Sequence, residues 1–471
     1  MHSDFLYQQL ESWLLKGIQT QRWKTGERLP SIRTLCKEKG LSKATVQHAL
    51  QRLEAQGLIE VRPKAGYFVT IQNKDIESPS VHSAIEAPRP VTSNDLLLDI
   101  MERSAAFDLR PNPEGEWKSN GVIELNRCLG RALRKQRGAF HQYYDDPAGD
   151  LSLREQLSTH YSRRGLRLSV GDLCITSGCQ HALFLALMAC CEKGDIVAVE
   201  SPGFYGALQL LEQLQLKVIE VPSSSENGMN IQAFEEVLQR WPVKACMVSP
   251  SFSTPSGSVM PLAEKQQLLN LANQYDLVVI EDDIYADTAL GGTPDPLKSI
   301  DSENRVILCS SFSKSLSRDL RLGWINGGRW HDKIHRMKLV TQLASSSSLQ
   351  RGVAEFMTEG RFTAHLRRQR NELQTNRDYL ISQLRDWPVQ AKFSIAQGGL
   401  SLWVELPTRV NTLDRYNELL DQNIVITPGP LFSISGKFTN CLRISYAHRW
   451  DGKRAEALHQ LPSILLQSTG G

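Results

Sequence analysis

Five short apolar runs, Ile196 to Val199, Lys217 to Val221, Ala245 to Val248, Leu277 to Ile280 and Val306 to Leu308, alternate with stretches of helical spacing. A strand followed by a helix and another strand returns the chain in the same direction, so this segment predicts an α/β fold around a mostly parallel sheet. From about Phe362 a long polar-amphipathic helix leads to a smaller α+β segment containing Leu400 to Leu406 and Cys441 to Tyr446. The 471 residues, 41% apolar and 22% charged, suffice for two or three domains with a large buried core. No internal repeat is present.

The longest apolar stretch, Ala182 to Cys191, is ten residues, against the roughly 20 needed to cross a bilayer. The polar, amphipathic N-terminus carries no signal-peptide pattern. Nine scattered cysteines, of which only Cys190 and Cys191 are close, form no metal-ligand spacing. A reduced, cytoplasmic protein without a metal site is expected.

Charge is unevenly placed. Residues 1–71 hold 11 Lys+Arg and 6 Asp+Glu, while the whole chain carries a net +3. This end has its own periodicity, with Phe5, Leu6, Leu10, Trp13, Leu14 and Ile18 at helical spacing before Gly26 and Pro30. Ser31 is placed to cap a second helix through Lys39, which Gly40 closes. Ser42 is placed to cap a third that turns Val46, Ala49, Leu50 and Leu53 inward. After Gly57 the pattern alternates, through Leu58, Ile59 and Val61 and then Tyr67, Phe68 and Val69, which predicts a two-stranded wing. Three short helices and a wing make a winged helix-turn-helix over residues 1–71, mostly α with a small β wing. Its third helix presents Lys43, Ala44 and Gln47 outward at its start, where recognition helices meet base edges. Residues 72–93, rich in Pro and Ser, read as an exposed linker able to span about 25 Å as a flexible coil, with residues 94–471 beyond it.

The segment Ser310-Ser-Phe-Ser-Lys-Ser-Leu-Ser-Arg-Asp-Leu-Arg-Leu-Gly-Trp324 surrounds the amine of Lys314 with hydroxyls and places Arg321 seven residues on. A desolvated lysine amine condenses with a carbonyl cofactor, and Ser311, Ser313 and Arg321 are suited to its phosphate. Two further elements point the same way. Thr176-Ser-Gly-Cys-Gln-His-Ala-Leu183 is a glycine turn opening an apolar helix after a short strand from Leu173, a geometry that favours an anion. Glu281-Asp-Asp-Ile-Tyr285 directly follows an apolar strand and puts acids at its C-terminal edge, where α/β sites lie.

Both ends resemble known families. Gly26-Glu-Arg-Leu-Pro-Ser-Ile-Arg33, Gly40-Leu-Ser-Lys-Ala-Thr-Val46, Gly57-Leu58 and Gly66-Tyr-Phe-Val69 resemble the GntR family of bacterial regulators. That resemblance implies DNA contact by Arg33, Ser42, Lys43, Thr45 and Gln47, with the wing residues Lys64 and Gly66 approaching the backbone and neighbouring groove. From about Asp95 to Leu465 the chain resembles class I, fold-type I aminotransferases dependent on pyridoxal 5'-phosphate. A GntR head on such a domain is the plan of the MocR subfamily.

The resemblance implies roles for individual residues. Lys314 would hold the cofactor, and Cys179, where the family commonly has Ser, and Gln180 would lie at its phosphate. Phe204, in Glu200-Ser-Pro-Gly-Phe-Tyr-Gly206, would stack on the pyridine, Asp282 would pair with the ring nitrogen, and Tyr285 would meet the phenolic oxygen. Tyr144, in Tyr144-Asp-Asp-Pro-Ala-Gly149, would reach the phosphate of a neighbouring subunit, which implies a homodimer with shared sites. Arg443, in Asn440-Cys-Leu-Arg443 after Pro428-Gly429, would clamp a carboxylate. Two positions depart from the family. Its Asn-Pro-Thr-Gly element stands as Thr254-Pro-Ser-Gly257, and the Pro that usually follows the lysine motif is Arg318.

Three functions follow from these features. One is a pyridoxal 5'-phosphate-dependent regulator of an operator in double-stranded DNA, sensing an amino acid or other amino compound through a Schiff base at Lys314. The second is an aminotransferase acting on an amino acid. The third is a sensor of pyridoxal 5'-phosphate itself.

Overall fold

The computed structural model describes residues 6–20, 22–24, 26–62, 65–70, 76–91, 95–103, 107–111, 120–136, 144–388 and 390–466. They group into two compact units, Met1–Glu77 with Thr375–Asp386, and Ser78–Gln374 with Trp387–Gly471.

The first unit contains the helices Leu6–Gln19, Ile32–Lys39 and Lys43–Ala55 and the antiparallel hairpin Ile59–Arg62 with Gly66–Val69. Local chemistry fixes the helix ends. The Ser31 and Ser42 hydroxyls accept from the amides of Thr34 and Thr45, each at 3.1 Å, and Gly40 closes the second helix at φ +63°. Val46, Ala49, Leu50 and Leu53 lie on one face of the third helix, fully buried against Leu10, Leu14 and Leu35. Ser42→Ala removes a cap and lowers the stability of this unit by about 1 kcal/mol, to be read as an earlier urea midpoint for its transition.

The larger unit is built on one sheet. Its spatial order is Arg89–Pro90, Lys217–Ser224, Ile196–Ser201, Val243–Val248, Val278–Asp282, Val306–Ser311, Gly323–Asn326 and Leu173–Thr176, with Gly228–Met229 added beside Lys217–Ser224. The five strands from Lys217–Ser224 to Val306–Ser311 run parallel, and Gly323–Asn326 is antiparallel to both its neighbours. Helices cover both faces, as an all-buried parallel sheet requires. The helix Cys179–Cys190 is apolar nearly all round because it lies inside this packing. A second antiparallel sheet orders Lys392–Phe393, Ser401–Glu405, Cys441–Ser445 and Thr427–Pro428.

Much of the stretch expected to be an exposed linker is bound to this larger unit. The Ser80 amide and hydroxyl donate to Glu405 at 2.5 and 3.0 Å, and His82 stands edge-on to Phe438. Arg89 and Pro90 pair with Val218 and Lys217. Polar, aperiodic residues are held here by long-range partners that local sequence does not reveal.

Candidate functional site

Three consecutive acids end the strand Val278–Asp282 and its continuation, and the pleat separates them. Glu281 turns away and accepts from the amides of Leu297 and Lys298 at 2.7 and 2.9 Å. Asp283 accepts from Arg164 at 2.5 and 2.8 Å and from the Tyr161 hydroxyl at 3.0 Å. Asp282 faces a cleft of about 670 Å³. Its Oδ1 accepts from the Ile284 amide at 3.2 Å and the Cys179 thiol at 3.3 Å. Burial pushes its carboxyl up to about 6.

Lys314 follows the neighbouring strand Val306–Ser311 and lines the same cleft. Its Nζ lies 3.8 Å from the centre of the Phe107 ring and 5.8 Å from that of Tyr285. The amine is pushed well below the usual lysine range, first by desolvation and then by the charges of Arg318 and Arg443. A less basic lysine spends more time as the free amine, the form that attacks a carbonyl.

The glycine turn adjoins the lysine loop through Arg321. Gly178 has φ +92°, a conformation that favours glycine, and a Cβ there would also meet Arg321 Nη2 at 2.6 Å. Arg321 donates to the Ser177 carbonyl at 3.1 Å and to the Ser313 hydroxyl at 3.4 Å. Cys179 and Gln180 open the helix beyond it, the Gln180 amide donating to the Gly206 carbonyl at 2.7 Å. Phe204 also lines the cleft.

Other expected residues sit behind or away from the cleft wall. Tyr285 is buried, which raises its phenol, and Thr254 lies beside it, also buried. Arg443 is 2% exposed, with its guanidinium 4.8 Å from the Phe107 ring and within 3.4 Å of the Tyr205 hydroxyl. Ser311 does not line the cleft. As the last residue of its strand it is buried, and its hydroxyl accepts from the Ser313 amide at 3.2 Å. Tyr144 is 81% exposed and away from this chain's cleft. In the first unit Arg33, Ser42 and Lys43 are exposed, and Thr45 and Gln47 half-buried. The Ser42 and Thr45 hydroxyls lie 2.8 Å apart within the cap. Gly66 has φ +112° in the hairpin, and Lys64 lies outside the described residues.

Sequence reasoning missed Phe107 and Tyr205 as parts of this site and treated Arg318 only as a departure. Phe107 sits in an aperiodic segment, so nothing local marks it. Tyr205 adjoins Phe204 in a motif already noted, and its reach to Arg443 is a tertiary fact.

A lysine loop, a glycine turn and a strand-end acid around one cleft, in a mixed sheet of this order, define a class I and II aminotransferase fold. The corresponding family model, "Aminotransferase class I and II", matches residues 121–461, and "Bacterial regulatory proteins, gntR family" matches residues 4–69. The chain belongs to the GntR-type regulators that carry an aminotransferase class I and II domain. It is 37% identical over 463 residues to the HTH-type transcriptional regulator YjiR of Escherichia coli (strain K12), covering 97% of both chains. With YdcR of the same organism it is 34% identical, covering 98% of each. Among solved structures, kynurenine aminotransferase of Pyrococcus horikoshii in complex with PMP superposes with a TM-score of 0.71 at 26% identity. That match covers 80% of this chain and 96% of the other.

The residues present fit a phosphorylated pyridine aldehyde. The turn at Gly178 packs against Arg321, so the guanidinium and the start of the helix Cys179–Cys190 line the cleft together, Phe204 offers a flat apolar face, and Asp282 offers a carboxylate to a ring nitrogen. Among the described residues no helix is long and apolar enough to cross a membrane, and no cluster of His, Cys, Asp or Glu could hold a metal ion.

Proposed function

We propose that the chain is a DNA-binding transcriptional regulator of the MocR type that holds pyridoxal 5'-phosphate at Lys314 and responds to an amino compound. The carrying observation is the convergence of Lys314, Asp282, Cys179, Gln180 and Phe204 on one cleft in a chain whose other end is a GntR-type winged helix-turn-helix. When bound, the cofactor supplies an aldehyde that forms a Schiff base with a primary amine and a ring that withdraws electrons.

The chain's own groups do the rest. Lys314 would be the amine that holds the aldehyde, and its lowered basicity favours the free amine this requires. Asp282 would face the ring nitrogen and favour its protonated form, and Phe204 would offer the ring an apolar face. Arg321, with Ser313 and the amides at the start of Cys179–Cys190, takes the phosphate. Tyr285 and Thr254 attend the phenolic oxygen, and Arg443 clamps the carboxylate of an amino-acid signal. Tyr144 serves the site of a second copy in a homodimer, which accounts for its 81% exposure.

At the other end Lys43, Gln47, Thr45 and Ser42 meet base edges in the major groove, while Arg33 and the wing at Lys64 and Gly66 position the domain on phosphates. Residues 1–71 are the DNA-binding domain and the site belongs to 94–471. Signal binding shifts DNA affinity by favouring one arrangement of a cytoplasmic dimer.

Visible absorption of the purified protein with added pyridoxal 5'-phosphate, repeated with a panel of amino acids, tests this reading. DNA affinity is followed on fragments selected from a random pool. The expected result is a cofactor band that shifts with one class of amine and is absent from Lys314→Ala, with DNA affinity changing only when the band shifts. A band that never forms, or DNA affinity indifferent to every amine, defeats it. Turnover as an aminotransferase is the second reading, favoured by the depressed basicity of Lys314, which suits it to moving a proton. Net amino-group transfer to an oxoacid would establish it.

A further inference from the structure

Three cations converge on one aromatic ring. Lys314 Nζ lies 3.8 Å, the Arg318 guanidinium 4.6 Å and the Arg443 guanidinium 4.8 Å from the centre of Phe107. The ring face attracts each weakly, but the three charges repel one another across a partly desolvated cleft.

Counter-charges can be assigned to the other cations of the site. Arg321 is held by Ser177 and Ser313 at the end suited to a phosphate, and Arg443 is set for one carboxylate. Arg318 has neither an ion pair nor a side-chain hydrogen bond among the described residues. Asp108, whose charge reaches Arg318, is already bound by Arg454 at 2.9 and 3.0 Å. Arg318 is open to solvent and lines the cofactor cleft. It also lines a second cavity of about 700 Å³, beside Lys314, His365, Gln369 and His448. A ligand side chain leaving the cleft toward this cavity would pass the guanidinium.

Resting on the proposed amine-sensing site, we propose that Arg318 binds a second anionic group on the ligand, so that the signal or substrate is an acidic amino acid rather than a neutral one. Arg443 takes the carboxylate next to the amine, and Arg318 takes the side-chain carboxylate. Two charge-assisted contacts then neutralise both guanidinium groups, whereas the single carboxylate of a neutral amino acid would leave Arg318 without a counter-charge.

Calorimetric titration of the full-length protein, loaded with pyridoxal 5'-phosphate, compares L-glutamate with L-glutamine and L-aspartate with L-asparagine, pairs that differ in charge at nearly constant shape. The acids are expected to bind on the order of tenfold to a hundredfold tighter than their amides, the scale of one hydrogen bond to a charged group. Arg318→Gln is expected to bring that ratio close to one, Arg318→Lys to retain part of it, and Arg443→Gln to weaken acids and amides alike. The cofactor spectrum of each variant reports that the site is intact. Amides binding as tightly as acids, or a ratio unchanged in Arg318→Gln, overturns the assignment of Arg318 alone. If the spectrum forms but no amino acid of either kind binds, the amine-sensing reading falls and this assignment with it.

Discussion

Arg164→Ala lowers the unfolding free energy of the larger unit by about 3–5 kcal/mol, the cost of removing one partner from a buried ion pair. Arg164 and Asp283 are 6% and 2% exposed. The guanidinium donates to both carboxylate oxygens and also to the Pro294 carbonyl at 2.9 Å, so its charge is fully engaged. Alanine leaves the Asp283 carboxylate buried with the Tyr161 hydroxyl as its remaining side-chain donor. Trp324 donates from Nε1 to that same hydroxyl at 3.1 Å, so tryptophan fluorescence during urea unfolding reports on the affected region. Pairing Arg164→Met with Asp283→Leu should recover much of the loss, because it removes both buried charges. A single-variant loss under about 1 kcal/mol would contradict this account of the network. Cofactor affinity should fall along with stability, since Asp283 directly follows Asp282 and its anchoring sets where that carboxylate points.

The contrast between Asp283 and Asp282 shows what the sequence makes legible. Apolar runs of strand length separated by helical stretches predict the parallel sheet, because strands buried on both faces must be apolar throughout. They also place Glu281, Asp282 and Asp283 at a strand end. Which acid faces a ligand follows from partners distant in the chain, Arg164 and Tyr161 for one and the amides of Leu297 and Lys298 for another. The antiparallel strand Gly323–Asn326 has four residues and no alternation, so only its pairing with Val306–Ser311 and Leu173–Thr176 defines it. Phe107 illustrates the same limit within the site. Its segment has no periodicity, yet it supplies the ring that gathers Lys314, Arg318 and Arg443. Motifs mark groups whose chemistry is local, whereas the groups that tune them are collected by packing.

Asp282→Asn is expected to stabilise the cofactor-free protein at pH 8 by up to about 3 kcal/mol, while reducing the stabilisation that pyridoxal 5'-phosphate confers. Asp282 is 4% exposed, and burial raises its carboxyl from 3.8 to about 6. An acid whose pKa is higher folded than unfolded makes the folded state bind more protons. Its destabilising effect therefore grows as pH rises through the interval from about 4 to 6 and is complete above it, at about 1.4 kcal/mol for each pH unit of that interval. Asparagine keeps an oxygen for the Ile284 amide and the Cys179 thiol but has no charge to bury. The stability difference between variant and wild type should accordingly be small near pH 4 and reach its plateau above about pH 7. His181, His331, His365 and His448, all shifted down mainly by burial, titrate with the opposite sign, but they are common to both proteins and cancel in the difference. Thermal unfolding at a series of pH values measures it, and a difference independent of pH would refute the electrostatic origin. Under the proposed function, adding the cofactor is expected to reverse the ranking, because a protonated ring nitrogen would supply the positive charge that makes an ionised Asp282 favourable. A carboxylate that costs the empty fold stability and gains it back with the cofactor is the result expected if Asp282 serves the proposed ligand rather than the fold.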